Sequence, residues 1–108
     1  MKVTSRYASD RLEVQLTGEL DHHTARQAVS EITELIESEL PRELTLDMGR
    51  LSFMDSSGIA LILRVNRRLT EDGAKLTIIN PGPQAYKVLQ AAGILRMIEV
   101  RSGGEVTT

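Results

Sequence analysis

The sequence predicts an α/β domain in which helices cover a mixed, mostly parallel sheet, in the order β-β-α-β-α-β-α-β. Segments of alternating apolar residues are interleaved with segments whose apolar residues recur every three or four positions, which is typical of β-α-β units. The chain has 108 residues, 41% of them hydrophobic, which suits one buried core and not two. We therefore expect one domain over residues 1–100 and a polar tail over residues 101–108.

The first two strands form a predicted hairpin. Apolar residues alternate with polar ones weakly over residues 3–7 and strongly over residues 12–17. The polar segment at residues 8–11 separates the two runs and supplies the turn. We expect Gly18 to end this pair of strands.

The first helix is predicted over about residues 25–38. Thr24 and Gln27 match the capping-box pattern, in which a hydroxyl is followed three residues later by Gln or Glu. Apolar residues then recur at helical spacing, and Pro41 marks the exit. Leu, Leu and Met alternate over residues 44–48 and predict the third strand.

A loop over residues 49–52 is expected to separate the third strand from a second helix. That helix begins at Ser56, and its apolar residues continue to about Leu69. Asp72 and Gly73 predict its end, because Gly tolerates the left-handed conformation that follows many helices.

The last third of the chain predicts a strand, a short helix and a strand. The apolar run in residues 75–80 indicates a strand that is buried on both faces. A Pro-Gly-Pro turn at residues 81–83 leads into a short helix that stops at Gly93. Residues 97–100 form the last predicted strand.

Three loops follow the carboxyl ends of the parallel strands, at residues 19–23, 50–56 and 80–83. In parallel α/β sheets these loops meet at one edge, where ligands and partners bind. We therefore expect the functional residues at this edge.

Composition excludes several classes of protein. The chain has no cysteine, which rules out a disulfide scaffold, a thiolate metal site and a Cys nucleophile. A net charge of −2 and only three aromatic residues argue against a nucleic-acid partner. No apolar run is long enough for a membrane partner, and the N-terminus lacks a secretory signal, so we expect a cytoplasmic protein.

Asp21, His22 and His23 are the residues most suggestive of a metal site. A divalent metal needs three or four ligands that converge from different elements, whereas these residues are adjacent in one loop. We expect no metal there.

The segment Asp55-Ser56-Ser57 admits three interpretations. A serine nucleophile would need Gly-x-Ser-x-Gly and a base, for which only His22 or His23 is available. A helix N-cap explains the Asp and Ser residues directly. A hydroxyl at a helix N-terminus is also well placed to carry a phosphoryl group, because free N–H groups and the helix dipole stabilise its charge.

Two segments carry a resemblance to a known family. LTGELDHHTA (residues 16–25) and LSFMDSSG (residues 51–58) closely resemble the anti-sigma factor antagonists of bacteria, above all the sporulation type that antagonises the anti-sigma F factor. These proteins are single STAS domains. The resemblance extends from Val3 to Val100 and implies a fold that agrees with the predicted order.

The resemblance also implies a role without catalytic residues or cofactors. In this family the unmodified protein binds an anti-sigma factor that is an ATP-using serine kinase, and this binding frees the sigma factor. The kinase then phosphorylates the first serine after the motif Asp, here Ser56, and a PP2C-type phosphatase removes the phosphate. The implied partner contacts are Asp21, Asp55, Ser57, Gly58 and Ile59.

One departure from the family stands at the C-terminus. The family usually has a further amphipathic helix after the last strand, whereas residues 101–108 are short and polar. Two other functions stay open at this point. One is a STAS subunit of another assembly, such as a stress-signalling particle or a lipid-transport complex, and the other is a small hydrolase that uses Ser56 and His22.

Overall fold

The computed structural model describes residues 1–102, in which five strands form one sheet in the order β1-β2-β3-β4-β5. The strands are β1 (Lys2–Ala8), β2 (Arg11–Leu20), β3 (Glu43–Met54), β4 (Lys75–Ile79) and β5 (Glu99–Arg101). The helices are α1 (Ala25–Glu39), α2 (Ser56–Glu71) and α3 (Pro83–Ala91), followed by a 3-10 turn at Ile94–Arg96. Strands β1 and β2 are antiparallel, and the other neighbouring strands are parallel. The predicted class and order are confirmed.

The alternation of apolar residues along the strands builds the core. Apolar residues at alternate positions of the central strands are buried on the same face of the sheet, because successive side chains of a strand point to opposite faces. These residues are Leu12, Val14 and Leu16 of β2, Leu44, Leu46 and Met48 of β3, and Leu76 and Ile78 of β4. The apolar sides of the helices join them in one core, notably Ile32, Ile36, Leu61, Val65, Leu69 and Leu89.

Strands β2 and β3 both run further than the sequence predicts. Gly18 does not end β2 but lies inside it with φ 109°, next to a shift in register between β2 and β3. The predicted loop at residues 49–52 is wrong, because β3 continues to Met54 and pairs there with Leu20. The irregular register absorbs the polar Gly-Arg pair that resembles a turn in the sequence.

The remaining boundaries differ by a few residues. The last strand is Glu99–Arg101 and not residues 97–100, because a 3-10 turn precedes it and leaves Met97 60% exposed. Residues 103–108, which make up most of the predicted tail, lie outside the described residues. Within residues 1–102, none of the helices has the length and hydropathy needed to cross a membrane.

Candidate functional site

Two loops meet where β2 and β3 end side by side. Leu20 pairs with Met54, and the backbone N–H of Asp55 donates to the carbonyl oxygen of Leu20 at 3.3 Å. The segment after β2, which begins at Asp21, therefore lies beside the start of α2. We call this region, residues 21–24 and 55–57, the carboxyl edge.

Asp55 caps helix α2, as the sequence indicates. Its backbone is extended, and its carboxylate accepts a hydrogen bond from the backbone N–H of Ser57 at 2.8 Å. The Asp55 carbonyl accepts the N–H of Gly58 at 2.9 Å. These bonds fix the direction in which the first turn of α2 leaves the sheet.

Ser56 is the first residue of α2 and is exposed. Within residues 1–102 its hydroxyl makes no hydrogen bond, since neither Asp55 nor the histidines of the neighbouring loop reach it. The hydroxyl thus projects from the positive end of a 16-residue helix. This geometry permits modification of the oxygen from solvent without loss of any bond in the fold.

Gly58 has a packing role. It is buried, and a Cβ atom at this position would overlap Met54 Cγ and lie 2.6 Å from Met54 Sδ and 3.0 Å from Leu20 Cδ2. The absence of a side chain lets α2 approach the ends of β2 and β3. Gly58 therefore determines how closely α2 packs against the strand ends at the carboxyl edge.

Ser57 and Ile59 are both half-buried. Ile59 packs against the core, whereas Leu63, one turn further along α2, is 39% exposed. Ser57 lines a groove of about 280 Å³ between α1 and α2, together with His22 and Arg64. These two predicted contact residues therefore reach the surface only in part.

The capping box predicted for α1 is wrong. Thr24 makes no side-chain cap, and its hydroxyl instead donates to the Glu19 carbonyl at 2.9 Å and accepts from the Asp21 N–H at 3.1 Å. The side chain of Gln27 does not reach back to the helix start but donates a hydrogen bond to the Glu31 carboxylate on the helix surface. The Thr24 hydroxyl is thus engaged in the loop before the helix, where Asp21 Oδ1 accepts the N–H groups of His23 at 2.9 Å and Thr24 at 3.2 Å.

This network stabilises the charged form of Asp21. Desolvation raises the pKa of the carboxyl group, but hydrogen bonds from the backbone of His23 and Thr24 and from the Thr24 hydroxyl lower it by more in total. The pKa of Asp21 therefore lies below its ordinary value. Asp21 is a charged group whose loop holds it in one position.

The two histidines pack against each other, with ring centroids 3.9 Å apart and a tilt of 38°. Neither ring accepts a proton from Ser56, so the hydrogen bond that a hydrolase needs is not formed. No group of three or more His, Asp or Glu side chains in residues 1–102 is arranged to hold a metal ion. The absence of a metal site stays a prediction.

Sequence reasoning missed one residue of this region, Gln84. Its side-chain Nε2 donates to the Met54 carbonyl at 2.7 Å, and its Oε1 accepts the Met54 N–H at 2.9 Å. Gln84 lies 30 positions further along the chain, in the first turn of α3. A polar residue in the first turn of a helix is ordinary in sequence, so no local signal could have found this contact.

The model of the STAS domain family matches residues 3–104 of the chain. The chain belongs to the STAS domain family. An anti-sigma F factor antagonist from Lysinibacillus sphaericus is 36% identical over 81 residues, which cover 75% of this chain and 69% of that protein. These findings confirm the resemblance inferred from residues 16–25 and 51–58.

Two solved structures extend the likeness to the fold. The anti-sigma factor antagonist SpoIIAA in its unphosphorylated form is 30% identical, with a TM-score of 0.80 over 92% of this chain and 87% of that one. The Bacillus cell fate determinant SpoIIAA in its phosphorylated form is also 30% identical, with a TM-score of 0.71 over 92% and 90% of the two chains.

Proposed function

We propose that this STAS domain, over residues 1–100, is an anti-sigma factor antagonist. In the unphosphorylated state it binds an anti-sigma factor that is a serine kinase, and a sigma factor is thereby released. Phosphorylation of Ser56 by that kinase ends the binding, and a PP2C-type phosphatase restores it. The names of the relatives support this regulatory role over a subunit of another assembly and over an enzyme.

The single observation that carries the proposal is the environment of Ser56. Its hydroxyl is exposed and has no partner within the described residues, and it projects from the N-terminus of α2. SpoIIAA, a relative of similar fold, is known in a phosphorylated form, which supports phosphorylation as the switch here.

The fold should tolerate the phosphate. Phosphoserine adds a charge of about −1.5 to −2 at neutral pH. The N-terminus of an exposed helix favours such a charge by typically 0.3–1 kcal/mol. The neighbouring Asp55 carboxylate repels it by a similar amount, since both groups are in contact with water. The two effects offset each other, so we expect little change in the free energy of unfolding.

A binding interface with the anti-sigma factor should not tolerate the phosphate. A dianion pressed into a packed contact loses its hydration, and like charges across an interface cost several kcal/mol. A loss of about 3 kcal/mol weakens binding roughly a hundredfold. The switch thus acts on association and leaves the fold unchanged.

The proposed contact surface includes the neighbours of Ser56 at the carboxyl edge. Asp21 and Asp55 would present fixed carboxylates to the partner, and Ser57 and Ile59 would add partly exposed contacts. Gly58 would act through the packing that lets α2 approach the strands. The proposal involves neither nucleic acid nor a membrane, and it places the chain in the cytoplasm, where sigma factors act.

The test is a pair of charge substitutions at opposite ends of the sheet. Ser56→Asp should weaken binding to the anti-sigma factor of the same organism about a hundredfold, whereas Ser56→Ala should stay bound. Ser9→Asp is the matched control, because Ser9 is exposed in the β1–β2 turn and its φ of 54° suits Asp. Equal affinities of Ser56→Asp and Ser9→Asp, measured by calorimetry, would contradict the proposal.

A further inference from the structure

Strand β3 has a free edge just before the carboxyl edge. Strand β4 pairs only with residues Glu43–Asp47 of β3, so the following part of β3 has a strand neighbour on the β2 side alone. The N–H and C=O groups at such an edge lack ladder partners and are open to hydrogen bonds from other groups. Residues 49–54 lead directly into the cap of α2.

Gln84 replaces the missing strand at one position. Its amide donates to the Met54 carbonyl oxygen at 2.7 Å and accepts the Met54 N–H at 2.9 Å, which reproduces a pair of ladder hydrogen bonds. On the opposite side, Met54 pairs with Leu20 of β2. The backbone of Met54 is therefore held from both sides, once by a strand and once by a side chain.

This clamp acts two residues before Ser56. Because the Ser56 hydroxyl makes no hydrogen bond within residues 1–102, its position depends on the backbone that carries it. Gln84 is itself exposed and adds nothing to the apolar core. Its two bonds fix the geometry of the strand end and leave the packing of the domain to other residues.

We propose that Gln84 is a positioning residue that holds Ser56 in the geometry required for phosphoryl transfer. This inference rests on the proposed function, in which Ser56 accepts the phosphate. Transfer requires the attacking oxygen to lie close to and in line with the phosphorus, and a misplacement of about 1 Å can slow such a step about a hundredfold. If the Gln84 bonds are removed, the end of β3 is held on one side only, and we expect part of this rate to be lost.

The experiment compares two glutamines of the same helix. Gln84→Leu keeps the size of the side chain and removes both bonds, and Gln84→Ala removes them without an exposed apolar group. Gln90→Leu is the control, because Gln90 is exposed on α3 and its side chain makes no hydrogen bond within residues 1–102. Each variant is phosphorylated with ATP by the anti-sigma factor kinase of the same organism, and amide hydrogen exchange at Met54 is followed in the free protein.

For both Gln84 variants we expect a kcat about tenfold lower than that of the wild type, a KM within about twofold, and faster exchange at Met54. Gln90→Leu should match the wild type in all three. Wild-type kcat and exchange in the Gln84 variants would overturn the positioning role. A wild-type chain that takes up no phosphate at Ser56 would instead contradict the proposed function on which this role rests.

Discussion

The two loops at the carboxyl edge begin alike and use their polar groups differently. Each opens with an Asp after a long strand, and each leads into a helix of similar length. The Asp21 carboxylate accepts hydrogen bonds within its own loop, from the N–H groups of His23 and Thr24. Asp55 caps its helix with one bond and leaves the hydroxyl of Ser56 unbonded within the described residues. The first loop is thus a fixed surface, and the second presents a group that can be modified.

The largest expected effect on stability tests how α2 is seated. Gly58→Ser places a Cβ against Met54 and Leu20, and such overpacking costs about 1–3 kcal/mol. Gly82→Ser is the control, because its Cβ meets no atom within 4 Å and Ser suits the N-cap position of α3. Urea unfolding should separate the two variants. Equal stabilities would mean that the helix approach does not depend on Gly58.

A smaller effect tests the cap of α2. Asp55→Ala removes the acceptor for the Ser57 N–H and should cost about 1 kcal/mol, whereas Asp55→Asn keeps an acceptor and should cost little. The thermal midpoints of the three proteins measure the difference. If Asp55→Ala is as stable as Asp55→Asn, the carboxylate is not acting as the cap.

The next prediction concerns both roles of Asp21. Asp21→Ala should weaken binding to the anti-sigma factor and also lower stability, because the carboxylate organises the loop through His23 and Thr24. Calorimetric binding and urea unfolding on the same variant give both readouts. A variant that unfolds earlier than the wild type but binds normally would reduce Asp21 to a purely structural residue.

The smallest effect is a pH dependence. The pKa of Asp21 is lowered in the folded state, so its charge stabilises the fold above the unfolded pKa of about 3.9 and this contribution is lost as pH falls through the folded value. The wild type should therefore have a higher urea midpoint than Asp21→Asn at pH 7, and this difference should shrink as the pH falls below about 3.9. A difference in urea midpoint that grows as the pH falls would contradict the hydrogen bonds assigned to the Asp21 carboxylate.

Much of this architecture could be predicted from local patterns. Periodicity placed α1, α2 and α3 to within a few residues, since their buried positions recur at helical spacing. The extension of β3 could not be predicted in this way, because residues 49–52 resemble a turn and are ordered by pairing with a distant strand. Long-range pairing leaves no periodic signal in one sequence.

The candidate site shows the same division. Ser56 and Asp55 were found from a motif and a helix start, which are local features. The predicted capping role of Thr24 was wrong because its hydroxyl bonds Glu19 and Asp21 in the preceding loop, and spacing alone cannot decide between such alternative partners. Gln84 was missed because its partner, Met54, lies 30 residues away.

The central claim is that Ser56 is the group that switches binding at the carboxyl edge. The most direct measurement is mass-spectrometric mapping after incubation with the anti-sigma factor kinase and ATP, followed by titration of the modified chain with its partner. We predict one phosphate, on Ser56, in both the wild type and the Ser57→Ala variant. The phosphorylated chain should bind its partner about a hundredfold more weakly than the unmodified chain does. Phosphate found only on Ser57, Thr24 or Ser52, or a phosphorylated chain that binds as tightly as the unmodified one, would contradict the account.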